Sequence, residues 1–448
     1  MHQPPLTAIA CRPRSSPQLA TRMVHQRVRH SGQMDTVVAV AGICLLGLLL
    51  QEAAWVHIHY MQRIAQQTPD VLYRAMILGF PFAACALLAI SRRGGVPLPG
   101  GWGLMLAACL LSTATSIVMA LETCYEFKYF AGDFLRFSAP WLTLYLSYWA
   151  FATIRREQGL AGVLVWYDRL ALVALLDAAI ATAFGLAFFG CHISNNFFIF
   201  LIGWAILNDR YRELTTNLVL MGVLVAMVLS GKRTTLVLFA FSVVMTLFMR
   251  LLRGRNAFRT AVNLAGMALV GVGAQLIVET YTGGHSLVSI VERLSNEVTK
   301  NVLAGDTDNS YQSRLNEVEN IRAYFKANPA ELMFGIGFGG EIPQLYNAGE
   351  PTASGNMHHA HKGWWLYLLR NGYLGVALLA VFSWSSTWRL LWAPSEAPLV
   401  TASCAIYASC RVVAALSGNL MMEELDLPLV VGLGFALVDR HPRNTDRS

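Results

Sequence analysis

The chain has 448 residues, of which 55% are hydrophobic and only 14% are charged, and its formal net charge at pH 7 is +7. A soluble core could not contain this much apolar content, because it is spread along nearly the whole chain. Apolar runs close to the ~20 residues that cross a ~30 Å hydrocarbon layer recur throughout. The sequence therefore predicts an all-α polytopic membrane protein and excludes an ordinary soluble enzyme.

The first segment, residues 1–35, is a basic tail. It contains five arginines and a "QPP" stretch, and it has no apolar core of the kind found in signal peptides. This composition is typical of a disordered cytoplasmic tail rather than of a cleaved signal.

Apolar runs then follow one another, and we interpret twelve of them as transmembrane helices, although ten or eleven also fit because run length defines helix ends loosely. The predicted helices cover residues 37–55, 71–90, 102–120, 138–154, 163–189, 195–207, 215–229, 234–252, 260–278, 373–393, 398–416 and 425–438. The predicted organisation is a tail at 1–35, helices 1 to 9 within 36–278, one large loop at 279–362, helices 10 to 12 within 363–439, and a tail at 440–448.

Arginine distribution predicts the orientation. Every second turn carries arginine, and these turns are "SRRGG", "IRREQ", "NDRYREL", "RLLRGRNAFR" and "TWRLLW". Lys and Arg accumulate on the cytoplasmic side of membrane proteins, so both termini are expected inside and the 279–362 loop outside. The net charge then needs no nucleic acid as a partner, because anionic membrane lipid attracts cations on the cytoplasmic face.

One outer turn departs from this pattern. "SGKRTT" places Lys232 and Arg233 on the outer side. Such a pair can extend towards lipid phosphates, or it can bind an anionic ligand at the outer leaflet, and the residues alone leave both interpretations open.

Charges within predicted spans are rare. Asp177 and Arg411 lie in such spans and are expected to face a wet interior, because a charge in the hydrocarbon costs roughly 2.5 to 3.5 kcal/mol on insertion scales. The eight cysteines form no CxxC pair and lie mostly in apolar runs, so we interpret them as packing residues, with neither a disulfide framework nor a metal site.

The large loop contains an amphipathic pattern. "NSYQSRLNEVENIRAYFKANP" starts with polar residues, repeats apolar residues at helical spacing and ends at Asn328 and Pro329. Arg314 and Arg322 lie about two turns apart on this helix. Either could point into a pocket, although for Arg322 we favour a solvated surface position. The "FGIGFGG" stretch that follows is interpreted as a tight turn rather than as a phosphate cradle, because the lysine of a P-loop is missing.

Three histidines precede the tenth span in "NMHHAHKGWWLYLLRNGYLG". On a 100° helical step, Trp365 and Gly372 share a face with His361, and Gly375 lies one turn further. This register separates His361 from the other two histidines, which we expect to tolerate substitution. An interfacial histidine cluster, a metal site and a polar linker are the alternatives, and the spacing lacks the HExxH pattern of zinc proteases.

These motifs resemble those of the O-antigen ligase and polymerase superfamily of bacterial surface-polysaccharide enzymes. The similarity rests on His361 with Trp365, Gly372 and Gly375, on the Ser-Arg helix with the Gly-x-Gly turn, and on the outer "SGKRTT" turn. It covers roughly residues 215 to 390. The sequence departs from the family at Lys362, where Asn or Ser is usual, and at Arg370, where an acidic residue is common.

The resemblance implies an inverting glycosyltransferase of the bacterial inner membrane, without metal or cofactor, whose active site faces the periplasm. It would move a glycan from undecaprenyl diphosphate to a hydroxyl of a glycan, of lipid A core or of another acceptor. Arginine and lysine suit a diphosphate, so Arg233, Arg314 and Lys232 are the expected donor contacts and His361 is the expected base. Arg411, Asp177 and Arg322 are further candidate cavity charges.

Other functions fit parts of the sequence. A polymerase of the same superfamily would use the same donor chemistry. A transporter or flippase of lipid-linked sugars would also have about twelve spans, but no half repeat is evident. A membrane protease with Ser230 as nucleophile lacks the GxSG context.

Overall fold

The structure of the protein is a computed structural model. It describes residues 37–49, 103–123, 126–187, 197–210, 213–221, 233–254, 257–258, 260–262, 265–266, 309–347, 355–360, 362–417 and 425–439.

Helices make up most of the described residues. In chain order they are α1 (Val37–Leu49), α2 (Gly103–Thr123), α3 (Phe127–Ala187), α4 (Phe197–Leu207, with a 3-10 first turn), α5 (214–221), α6 (Arg233–Leu252), α7 (Asn309–Ala327), α8 (Gly363–Trp392), α9 (Pro398–Ser417) and α10 (Asp426–Val438). A 3-10 turn at Pro329–Leu332 follows α7, and the strands β1 (Ile342–Pro343) and β2 (Asn356–Met357) pair antiparallel.

Three described stretches are long and apolar enough to cross a membrane, namely Phe127–Ala179, Gly363–Trp392 and Pro398–Ala415. Shorter apolar helices surround them. Large apolar side chains such as Leu121 and Trp384 lie exposed on the outside, as expected where helices face lipid rather than water. The prediction of a helical membrane protein is confirmed, and the count of twelve spans stays a prediction.

Several predicted spans fall outside the described residues. This applies to 71–90 and to most of 215–229 and 260–278. The part of the predicted periplasmic loop that precedes Asn309, residues 279–308, does so as well.

The fourth and fifth predicted spans, 138–154 and 163–189, both lie within α3. This helix begins at Phe127, eleven residues before the first of the two spans, and it is interrupted at Gly159, where φ is 72° and ψ is −167°. Glycine adopts this conformation without a Cβ clash, so the "IRREQG" turn can bend the chain between two apolar halves.

α8 is interrupted in the same way. It begins at Gly363, and its backbone leaves the helical conformation at Gly372, where φ is 63° and ψ is −170°. The second half, 373–392, corresponds to the tenth predicted span. The first half is an additional short helix that the span prediction did not include, and it carries the residues of the candidate site.

The amphipathic helix of the large loop is present as α7. It ends at Ala327, directly before the predicted stop at Asn328. Val318, Ile321 and Phe325 are buried, so the apolar stripe packs against the protein as its spacing predicts.

The long helices pack through small and polar side chains. The Ser147 hydroxyl on α3 donates a hydrogen bond to the Pro428 carbonyl on α10 at 3.0 Å. The Tyr167 hydroxyl on α3 shares a hydrogen bond with that of Ser403 on α9 at 2.6 Å. Buried polar groups in a membrane interior need such partners, because lipid offers none.

The bundle has two chemically distinct ends. At one end, arginines close the helix termini: Arg155 donates to the Ala436 carbonyl at 2.7 Å and Arg389 forms an ion pair with Asp439 at 2.5 Å. The other end contains the start of α3, residues 333–347 and 355–360, and the first half of α8. We call it the loop end.

Candidate functional site at the loop end

The glycine-rich turn, "FGIGFGG" at residues 334–340, fills the interruption in α8. Where the first half of this helix stops, the carbonyl oxygens of its last turn lack intrahelical partners. The Ile336 amide donates to the Leu369 carbonyl at 2.9 Å, and the Gly337 amide donates to the Arg370 carbonyl at 3.2 Å. In the other direction, the Leu374 amide donates to the Met333 carbonyl at 3.1 Å. The turn and the broken helix therefore complete each other's hydrogen bonding.

This bonding decides between the two interpretations of "FGIGFGG". Besides Ile336 and Gly337, the Phe338 amide donates to the Ser116 carbonyl at 3.1 Å and the Gly339 amide donates to Asp133 Oδ2 at 2.9 Å. A phosphate cradle needs amides that point at the ligand. Here four successive amides have protein acceptors, so the tight-turn interpretation holds.

A buried ion pair lies behind the turn. Arg370 is 0% exposed and Asp133 is 1% exposed. Arg370 Nε lies 2.7 Å from Asp133 Oδ2, and Nη1 donates to the Gly340 carbonyl at 2.5 Å. The second terminal nitrogen, Nη2, donates to the His358 carbonyl and lies 2.9 Å from His358 Nδ1. One guanidinium thus joins α3, the glycine-rich turn and the stretch that contains His358, His359 and His361, which we call the histidine segment.

The arginines determine the tautomers of two histidines. Arg136 Nη1 lies 3.1 Å from His359 Nδ1, as Arg370 Nη2 does from His358 Nδ1 at 2.9 Å. Arginine only donates hydrogen bonds, so each Nδ1 must accept and each neutral ring carries its proton on Nε2. Both rings are thereby held as hydrogen-bond acceptors at Nδ1.

His358 is also held neutral. Its ring stacks on Tyr129 at 4.1 Å between centroids, and its side chain is only 14% exposed. The pKa of His358 is lowered from 6.5 to about 4, mainly by burial and secondly by the positive charge of Arg370. The negative charge of Asp133 acts in the opposite direction. At neutral pH this histidine is an uncharged structural group.

Backbone pairing fixes the approach to the histidines. In the β1–β2 pair, Met357 lies opposite Ile342. Directly after β1, the Leu345 amide at 2.9 Å and the Tyr346 amide at 2.8 Å donate hydrogen bonds to Asn320 Oδ1 of α7. The amphipathic helix, the strands and the histidine segment therefore form one connected unit.

The proposed base, His361, lies outside the described residues. Its neighbours are Ala360, which is buried, and Lys362, whose carbonyl accepts the first hydrogen bonds of α8. The helical register from His361 to Gly372 does not hold, because the helix begins at Gly363 and its backbone leaves the helical conformation at Gly372. Its assignment therefore rests on the resemblance and on its place in the segment.

The structure describes the three predicted donor contacts to different extents. Lys232 lies outside the described residues, and Arg233 is the first residue of α6, with its side chain outside the description. Arg314 is half-buried in the second turn of α7. The structure does not bring these three cations together within its described part.

Arg322 lies at the surface. Its side chain is 57% exposed, pairs with Glu319 at 2.6 Å and stacks over the ring of Trp365 at 5.1 Å. This position corrects the interpretation of Arg322 as a cavity charge. It agrees with the surface position that we favoured from the sequence. An exposed helix face has room for a solvated guanidinium, so no cavity is needed.

Asp177 and Arg411 are buried, at 1% and 2% exposure. Asp177 Oδ2 accepts a hydrogen bond from the Phe198 amide at 2.8 Å, at the first turn of α4. A carboxylate at a helix N-terminus satisfies an otherwise unbonded amide, so this residue has a structural partner. Among the contacts described, none joins Asp177 or Arg411 to Asp133, Arg370 or His358.

Sequence reasoning missed Asp133, Arg136 and the roles of His358 and His359. The sequence did contain a signal for Asp133 and Arg136, since "AGDFLRF" places both charges beside an apolar run. Asp177 and Arg411 were selected as candidates because of a similar position. The partners of Asp133 and Arg136 are distant in the chain, so no local pattern indicates that they meet. Among the described residues, no group of three or more His, Cys, Asp or Glu side chains could hold a metal ion.

Comparison with known proteins gives one match. The sequence profile of the O-antigen ligase family matches residues 217–380. No curated protein and no solved structure matches the chain. The matched range includes α6, α7, the glycine-rich turn, the histidine segment and the interruption of α8, whereas Asp133 and Arg136 precede it.

Proposed function

Because residues 217–380 make this chain a member of the O-antigen ligase-like superfamily, we propose that it transfers a glycan from undecaprenyl diphosphate to an acceptor hydroxyl at the membrane surface. The family match is the observation that carries the proposal. It spans the glycine-rich turn, the histidine segment and the interruption of α8, although the start of α3 with Asp133 and Arg136 lies before it, so most of the candidate site falls within the matched residues.

The donor presents a diphosphate beside the sugar. Arginine binds such a group through two parallel charge-assisted hydrogen bonds, each worth roughly 1.5 to 3 kcal/mol. Arg314 and Arg233 are the proposed contacts, with Lys232 as a third cation. Support comes from the half-buried position of Arg314 on a helix that is anchored to the loop end through Asn320.

His361 is the proposed general base. Among the three histidines of the segment, His358 and His359 accept hydrogen bonds from arginine at Nδ1 and hold their proton at Nε2. Neither has a ring nitrogen available for a substrate proton. This elimination supports His361 independently of the helical register.

The reaction balances without a cofactor. The acceptor hydroxyl gives its proton to a ring nitrogen of His361 while its oxygen attacks the anomeric carbon. The bond from that carbon to the diphosphate oxygen breaks, and undecaprenyl diphosphate leaves with its charge held by the arginines. Attack opposite the leaving group inverts the anomeric carbon, and general-base assistance is typically worth about 10² to 10⁴-fold.

The loop end is proposed to face the periplasm. Arg155, Arg253 and Arg389 all contact the opposite end of the bundle. Clustered arginines favour the cytoplasmic side, which supports this orientation in the bacterial inner membrane.

The test is a transfer assay with purified full-length protein in lipid, a lipid-linked glycan donor, a candidate acceptor and excess EDTA. We expect a covalent product in wild type and a loss of at least about 100-fold in His361→Ala that has the wild-type melting temperature. Activity retained in His361→Ala would reject the base, and activity lost only under EDTA would reject a metal-free reaction. Product analysis with lipid A core and with a glycan acceptor separates ligase from polymerase activity.

A further inference from the structure

Arg370 connects three separate parts of the loop end. Its guanidinium contacts Asp133 on α3, the Gly340 carbonyl in the glycine-rich turn, and the carbonyl and ring of His358. Few side chains could do this. Arginine has five donors in a planar fork, whereas lysine presents a single ammonium that cannot reach three divergent acceptors in the same geometry.

Stability alone does not explain the buried pair. Removing two charges from water costs several kcal/mol per ion, and well-packed apolar residues often replace a buried ion pair without loss of stability. The Asp133–Arg370 pair is 1% and 0% exposed. The use of charge is explained if the ion pair determines the position of the groups that are hydrogen-bonded to it.

The group so placed is the histidine segment. Arg370 holds it at His358, and the start of α8 holds it at Lys362, whose carbonyl accepts from the Trp365 and Leu366 amides at 3.0 Å. His361 is three residues from the first anchor and one from the second. The two anchored positions, His358 and Lys362, are separated by only three residues along the chain.

We propose that Arg370 and Asp133 are positioning residues that fix the histidine segment and thereby place His361 for catalysis. This inference rests on the proposed function. Neither residue needs to contact the substrate. Asp133 acts by orienting Arg370 and by accepting the Gly339 amide, and Arg370 acts through His358.

A positioning role has a distinctive kinetic signature. A displacement of the base by about 1 Å can cost about 100-fold in rate, while binding of the donor by other residues is unaffected. Loss of the anchor should therefore lower kcat and leave KM for the donor nearly unchanged. A changed environment around the base should also move the limb of the pH–rate profile that reports its protonation.

The experiment compares Arg370→Lys with Arg250→Lys in the full-length protein. Arg250 is a matched control, because it is 3% exposed, pairs with Asp209 at 2.8 Å and donates to the Ile206 carbonyl at 2.5 Å, all away from the loop end. We expect Arg370→Lys to lower kcat about 10- to 100-fold with donor KM within about twofold and a shifted pH profile. Arg250→Lys should keep kcat within about twofold even if its melting temperature falls equally.

His358→Ala serves if Arg370→Lys does not fold, because it removes the ring contact and leaves the ion pair in place. It should show the same decrease in kcat to a smaller extent. A wild-type kcat in Arg370→Lys would overturn the inference. If only His358→Ala folds, a wild-type kcat in that variant would do the same. An equal decrease in kcat in Arg250→Lys would also overturn it.

A second readout does not depend on activity. In a His361→Cys background, the rate of labelling by a membrane-impermeant maleimide reports the position of the segment. We expect Arg370→Lys to change this rate by about tenfold and Arg250→Lys to leave it unchanged, with the parent chain as the background correction. An unchanged rate overturns the positioning role, whereas a wild-type protein without transfer activity rejects only the proposed function.

Discussion

Gly372 lies directly against Gly335. A Cβ built on Gly372 would fall 2.5 Å from the Gly335 amide nitrogen, and one built on Gly335 would fall 2.5 Å from the Arg370 carbonyl carbon. Both glycines have positive φ angles, 63° and 77°. The glycine-rich turn therefore enters the interruption of α8 at a distance that only two glycines permit.

Gly372→Ala should destabilise the protein. The substituted residue would need a left-handed conformation, which costs an L-residue roughly 1 to 2 kcal/mol, and its Cβ would push the Met333–Gly335 backbone away. We expect a lower melting temperature in detergent and a lower yield of monodisperse protein. Gly132→Ala on α3 is the control, since nothing lies within 4 Å of its Cβ. An equal effect of the two substitutions would contradict the close approach.

Gly337→Ala tests contact separately from backbone strain. Gly337 and Gly355 both have a φ of 80°, but a Cβ on Gly337 would fall 2.5 Å from the Ala120 amide nitrogen, whereas Gly355 has open space. Both substitutions cost about 1 to 2 kcal/mol of conformational strain, and only Gly337→Ala must also displace α2. We expect the larger decrease in melting temperature for Gly337→Ala. Equal decreases would show that conformation alone determines the cost.

The sequence predicted elements whose signal is local. The apolar run at 373–393 and the amphipathic stripe of Val318, Ile321 and Phe325 depend only on neighbouring residues, and both correspond to observed helices. The first half of α8 was not included in the tenth predicted span, because its Arg370 and Asn371 interrupt the apolar run. They are tolerated there because Asp133 and Ser116 supply partners.

The candidate site was less predictable from the sequence, because its contacts join residues that are far apart in the chain. The glycine pair in "RNGYLG" correctly indicated a close approach, yet it suggested helix against helix, while Gly372 admits a loop. Asp133 and Arg370 lie far apart in the chain, and a single sequence contains no record of which buried charges meet. The histidines were separated by a helical register that the chain does not adopt before Gly363.

His358 should make stability depend on pH. Its pKa in the folded protein is about 4, below the ordinary value of 6.5, chiefly because it is buried. Between these values the unfolded chain binds a proton at His358 that the folded chain does not, so the contribution of His358 to stability falls as pH decreases from 6.5 to 4 and is constant above this range. The full effect amounts to roughly 3 kcal/mol.

Melting temperatures at several pH values within this range measure the effect. His358→Gln is the matched variant, because an amide oxygen can accept from Arg370 but does not titrate. We expect a flatter pH dependence for His358→Gln than for wild type. If both proteins lose stability with the same slope, His358 is not the group responsible.

Arg314 and Arg322 lie on the same helix and should differ in effect. Arg314 is half-buried and proposed to bind the donor diphosphate, so Arg314→Ala should lower kcat/KM for the donor about 10- to 100-fold through the loss of charge-assisted hydrogen bonds. Arg322 is 57% exposed and pairs with Glu319, an interaction worth at most about 1 kcal/mol. Arg322→Ala should therefore leave kcat/KM within about twofold of wild type. Transfer rates measured across donor concentrations distinguish the two variants, and similar losses in both would argue that the helix surface, rather than the half-buried arginine, receives the donor.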